Sequence, residues 1–71
     1  MSGREAVRAL ERGGFVVSHV RGSHHYLRHR GGGALVIVPV HGNRDLPVGT
    51  LRSILRQSAL TDEAFIELLN G

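Results

Sequence analysis

The apolar positions of the chain switch between two periods. Ala6, Val7 and Leu10 fall on one face of a 3.6-residue helix, and Ser2 followed three residues later by Glu5 forms a capping box at its start. Gly13-Gly14 ends the run in the way helix C-termini prefer. The pattern then shortens to a period of two. "FVVSHV" (15–20) and "SHHYLRHR" (23–30) read as strands around Arg21-Gly22, "GGG" (31–33) as a turn, and "ALVIVPV" (34–40) as a third, β-branched strand. Pro39 would remove a ladder hydrogen bond from a central strand, so this third strand belongs at an edge. Helical spacing returns at Leu51, Ile54 and Leu55, in a second helix over 47–58 with Pro47 in its first turn. Thr61 caps a third helix through "DEAFIELL", where Asp62 and Glu63 lie near the positive end. The order is α-β-β-β-α-α in one α+β domain, 1–71, with no repeat or linker.

Because strand side chains alternate, the loop between the first two strands decides which histidines face outward. A two-residue Arg21-Gly22 loop would put Phe15 and Val17 on the face of Tyr26 and Arg28 and strand Leu27 on the other. A three-residue loop, Arg21-Gly22-Ser23 with Gly22 at positive φ, pairs Val17 with Leu27 instead. Phe15, Val17 and Leu27 then meet on one face, under the helices. That register puts His19, His25 and His29 on the covered face, with packed or rim roles. His24, Tyr26 and Arg28 emerge together on the open face, next to Ser18 and Val20. By themselves these residues fit an inert exposed histidine better than a reactive one. A shared metal ion is disfavoured, since His25 and His29 stand about 13 Å apart at ~3.3 Å per strand residue.

Composition adds a constraint and a hint. With 71 residues the core is thin, and the chain has no cysteine to staple it or to hold a metal as thiolate. Support from a partner or from self-association is expected. Nothing in the sequence is long and apolar enough for a membrane span, and the N-terminus does not read as a signal peptide, so a cytoplasmic protein is expected. All nine basic residues are arginine against six acidic ones, a net charge of +3 that protonation of the five histidines would raise to +8. The guanidinium fork suits phosphate oxygens and stacks on bases, which fits a polyanion partner; a GC-rich coding sequence would enrich arginine equally well.

"GGFVVSHVRGSHHYLRH", "VIVPVHG" and "LPVGTLRSILRQSAL" together resemble the HicA (YcfA-like) family, the mRNA interferase toxins of HicAB toxin–antitoxin systems. The likeness runs from the first helix to about residue 66. It implies a fold similar to the double-stranded-RNA-binding domain, a three-stranded antiparallel sheet with helices on one face. It also implies a ribosome-independent endoribonuclease that cleaves mRNA until a HicB-type antitoxin masks it. The histidine after Gly-Ser, here His24, is the catalytic residue that the resemblance implies. The chain departs from common members in using arginine where they often have lysine, and in a second histidine, His25, beside the first.

On this reading RNA supplies its own 2′-hydroxyl nucleophile and no cofactor or metal is needed. His24 serves as general base or acid. Arg21 and Arg28 neutralise phosphate, Gly22 and Ser23 let the backbone approach it, and Tyr26 stacks an unpaired base. Ser23, Tyr26 and His41 are candidates for the second proton-transfer group. Arg52 and Arg56, one turn apart on the second helix, could meet RNA or acidic antitoxin residues, or simply solvent. In "ALVIVPV" both parities are apolar, so Leu35 and Ile37 are expected beside the catalytic face as the antitoxin contact. A homodimer and a higher toxin–antitoxin complex are both compatible with the sequence. The rival is a non-catalytic double-stranded-RNA-binding-like module on the same sheet.

Overall fold

The computed structural model describes residues Met1–Gly71. Helix α1 (Gly3–Arg12) is followed by strands β1 (Phe15–Arg21), β2 (His24–His29) and β3 (Val36–Pro39), then by helices α2 (Val48–Ser58) and α3 (Asp62–Asn70). The strands form one open antiparallel sheet in the order β1-β2-β3. Helices α1 and α2 pack on one face of it and α3 packs on α1. The expected α+β order and the one-sided cover are both present, and the arrangement is consistent with a double-stranded-RNA-binding-domain-like fold.

The local signals act as read. Ser2 Oγ accepts from the Glu5 N–H and the Glu5 carboxylate accepts from the Ser2 N–H, closing the capping box. The bond from the Ser2 backbone, joined by its side chain, holds the Glu5 carboxyl below the usual carboxylate range. That contribution is in place at neutral pH and is lost as the pH falls through the depressed value. Thr61 Oγ1 accepts from Ala64 N–H at the start of α3. Pro47 lies one position earlier than expected, as the residue before the first helical one of α2, where its φ of −59° needs no amide donor. The third strand is shorter than "ALVIVPV" suggested, starting at Val36.

Ten buried apolar residues make one core. Phe15, Leu27, Val36 and Val38 come from the sheet, Ala6, Val7, Ala9 and Leu10 from α1, Ile54 from α2 and Phe65 from α3. Leu51 and Leu55 are only half-buried, in a groove between α2 and α3. β3 is an edge strand, as Pro39 required. Its outward Ile37 N–H is taken up by Gln57 Oε1 of α2 at 2.9 Å, so the helix side chain does what a fourth strand would do.

The β1–β2 hairpin departs from the expected register in a specific way. Val17 does pair with Leu27, and Phe15 with His29. Nearer the turn, however, His19 pairs with Tyr26, Val20 with His25 and Arg21 with His24. The loop is therefore the two residues Gly22-Ser23, with Gly22 at φ 55°, and Arg21 belongs to the strand. A β-bulge between Val17 and His19 reconciles the two ends: Ser18 and His19 together oppose Tyr26. Past the bulge every β1 side chain is on the opposite face from the one that simple alternation gives it.

Two positions set the closeness of packing. A Cβ on Gly3 would overlap the Pro39 carbonyl oxygen and press on Val40 Cα at 3.1 Å, so α1 meets the end of β3 backbone to backbone. Gly3→Ala is expected to lower stability by about 1–3 kcal/mol through overpacking; an unchanged urea midpoint would contradict this close approach. Ala59, at the C-terminal cap of α2, holds φ 60°, a left-handed conformation that a side chain strains. Ala59→Gly is expected to raise stability by about 1 kcal/mol, read as a higher melting temperature.

Candidate functional site

The uncovered face of the sheet carries the titratable side chains. β2 alternates as expected: Leu27 is fully buried beneath the helices, while His24 and Arg28 are exposed and Tyr26 is half-buried on the other side. The cross-strand pairing sets Arg21 of β1 opposite His24, and Pro39 of β3 opposite it on the far side. Ile37 pairs with Tyr26. His24 thus stands in the middle strand, one residue beyond the Gly22-Ser23 turn. The turn is anchored by the Ser23 carbonyl, which accepts from Val40 N–H at 2.7 Å. Gly22 is open, with no atom within 4 Å of where a Cβ would be.

The other histidines take separate roles. His25 lies on the helix side between Val20 and Val38, half-buried, with its Nδ1 buried and without a partner. His29, at the end of β2, joins segments: its Nδ1 accepts from Gly31 N–H at 3.0 Å and its Nε2 lies 3.2 Å from the Gly13 carbonyl. That pattern fixes the neutral ring as the Nε2–H tautomer, and the ring meets Phe15 in a T-shaped pair with centroids 5.0 Å apart. Both therefore fit the packed and rim roles expected of them. His41 is exposed in the loop after β3.

His19 does not fit. The register above put it under the helices, but the bulge turns it to the open face, where its ring stacks on Tyr26 with centroids 4.3 Å apart and planes 10° from parallel. Val20, expected beside Tyr26, is displaced to the helix side opposite His25. Ser18 Oγ donates to the Tyr26 carbonyl at 3.1 Å and lies 3.1 Å from His19 Nδ1. Alternation alone could not reveal this residue. The available signal was that Phe15 and Val17 are two apart but Val17 and Val20 are three apart, an odd step that puts all three on one face only through an inserted residue.

Electrostatically the sheet is one-signed. All six carboxylates belong to α1, α3 or the loop before α2: Glu5, Glu11, Asp45, Asp62, Glu63 and Glu67. The one ion pair joins the Met1 ammonium to Asp45, so neither Arg21 nor Arg28 is neutralised by a carboxylate. The cavities of the molecule lie elsewhere, and none is lined by His24, Tyr26 or Arg28. A flat, basic, imidazole-bearing surface suits an extended anionic polymer better than a small molecule, which needs enclosure. Ile37 and Pro39, both half-buried, border this surface along β3, and half-buried Leu35 immediately precedes that strand. No helix is long and apolar enough to cross a membrane, and the side chains form no group of three or more potential metal ligands.

A search of curated proteins found no match. A family model described as the HicA toxin of bacterial toxin–antitoxin systems matches residues 3–60, from the first residue of α1 to the residue before the α3 cap. The matched segment contains the whole sheet, its Gly22-Ser23 turn and the open face just described. The chain belongs to the HicA toxin family of toxin–antitoxin systems.

Proposed function

We propose that the chain is the toxin of a type II pair, an endoribonuclease that cleaves mRNA independently of the ribosome and is held silent by a HicB-type antitoxin. The observation that carries the reading is the exposed His24 on a face with two unpaired guanidiniums and no carboxylate. RNA needs only a base for its 2′-hydroxyl, an acid for the leaving 5′-oxygen and positive charge for the phosphorane. Imidazole supplies the proton transfers near neutral pH, each contributing about 10²–10⁴-fold. Arg21, directly across from His24, and Arg28, four residues along β2, are placed to meet the phosphate and its neighbour. Tyr26 lies between them, and Gly22 and Ser23 let a backbone come close at the turn.

The same face supports the partner reading. Leu35 and Ile37 form an apolar border to a basic surface, a combination that an acidic, partly apolar protein segment can cover. An antitoxin on this border would exclude RNA from His24 without touching the helices. The activity is confined to the cytoplasm in this proposal, where mRNA is found, and the domain acts as one unit over 1–71.

His24→Ala is expected to lower cleavage of an RNA substrate by about 10²–10⁴-fold, in buffer containing a chelator, whereas His25→Ala costs stability and little rate. Salt-sensitive RNA binding without turnover in the unsubstituted protein would instead establish a binding module. Leu35→Ala and Ile37→Ala are each expected to weaken antitoxin binding about tenfold or more, ~1.4 kcal/mol, by calorimetric titration, with RNA cleavage retained. Unchanged affinity in both would remove this face as the contact.

A further inference from the structure

The bulge gives the open face a second imidazole, and this one is oriented. The Ser18 hydroxyl has a single proton, and the Tyr26 carbonyl takes it at 3.1 Å. Its oxygen can then only accept from His19 Nδ1, 3.1 Å away, so the neutral His19 ring carries its proton on Nδ1 and leaves Nε2 bare. The Tyr26 ring, stacked at 4.3 Å, holds the plane of that imidazole. A nitrogen base whose far side is fixed by a hydrogen bond is the arrangement general-base catalysis uses elsewhere. His24, by contrast, has no hydrogen-bond partner on the protein and its ring is free to turn toward a leaving group.

The two rings are within working distance. His19 is opposite Tyr26 and His24 is two residues before Tyr26 on β2, so the histidines are diagonal neighbours on one face. Such diagonals span about 7–8 Å between backbones, leaving room for a phosphodiester between two imidazoles. The remaining candidates are less well placed. Ser23 lies in the turn, the Tyr26 ring is engaged against His19, and His41 lies in the loop after β3.

Resting on the reading that His24 cleaves RNA, we propose that His19 is the second proton-transfer group, the general base to the general acid His24. His19 Nε2 takes the proton of the 2′-hydroxyl as the 2′-oxygen bonds to phosphorus. The bond from phosphorus to the 5′-oxygen breaks, and protonated His24 gives its proton to that oxygen. The products are a 2′,3′-cyclic phosphate and a 5′-hydroxyl. One proton passing through water from His19 to His24 restores the starting state. Ser18 is a positioning residue. The charged and titratable groups facing His19 are Arg21 on its own strand and His24, Tyr26 and Arg28 on β2; β3 brings only Ile37 and Pro39.

The test compares His19→Gln, His24→Gln and Ser18→Ala in the full chain, on an ordinary RNA and on one with a 5′-bridging sulfur, a leaving group that needs no acid. His19→Gln is expected to lower kcat by about 10²–10⁴-fold with RNA affinity nearly unchanged. It should also abolish the rising limb of the pH profile of kcat/KM and gain nothing from the sulfur substrate. His24→Gln should lose the falling limb and recover on that substrate. Ser18→Ala should lose several-fold in kcat with both limbs kept. If His19→Gln cleaves at the unsubstituted rate while His24→Gln is dead, the proposal is overturned and the His24 reading stands. A loss in affinity rather than in kcat also overturns it, making His19 a binding residue. If both variants cleave at the unsubstituted rate, the proposal and the catalytic role of His24 both fall; if the unsubstituted protein turns over neither RNA, the nuclease reading itself fails.

Discussion

One extra residue in β1 governs what this sheet presents to its surroundings. Ser18 and His19 both oppose Tyr26, and that insertion lets two demands hold at once. The Phe15, Val17 and Leu27 side chains stay together beneath the helices, and the hairpin still closes through a two-residue turn with Gly22 at positive φ. Without the bulge one of these would fail: either the core loses apolar area or the turn must lengthen. The local cost of the unpaired position is offset by the hydroxyl of Ser18, which bonds the Tyr26 carbonyl across the disturbed ladder. The consequence for chemistry is that His19 and Arg21 change faces and join His24, Tyr26 and Arg28.

The rest of the molecule is arranged around that exposed face. A core of ten residues can cover one side of a three-stranded sheet and no more. What remains uncovered is basic, because the chain confines its carboxylates to the helices and one loop. At the edge of β3, Gln57 takes up the outward Ile37 N–H, which blunts that edge as a template for strand addition. Membership in a toxin family gives such a surface two successive occupants in our account, an antitoxin and an RNA. On that proposal the apolar border at Leu35 and Ile37 would serve the first and the imidazole and guanidinium centre the second.

Much of this was legible in the chain itself. The capping box at Ser2 and Glu5, the Thr61 cap, the edge position signalled by Pro39 and the outward set His24, Tyr26 and Arg28 all follow from local chemistry or strict alternation, and the structure has them. Family membership followed from motifs spread over most of the domain. The bulge was not legible, because a period-two reading assumes an unbroken ladder. Pairing Val17 with Leu27 is correct, but carrying that register to the turn makes Arg21 a loop residue and buries His19. The odd step from Val17 to Val20 was the trace of the insertion. It is resolved only by the backbone, which also reveals the Ser18–His19–Tyr26 contacts that no spacing rule encodes.

Cross-relaxation between ring protons in solution reports the side of the sheet that His19 occupies. In a two-dimensional NMR spectrum of the protein, the His19 ring protons should show strong cross-peaks to the Tyr26 ring, and Val20 methyls should show them to His25. Cross-peaks from His19 to Leu10 or Val7, with Val20 contacting Tyr26, would mean an unbroken ladder. The open face would then hold His24 as its sole β1–β2 imidazole.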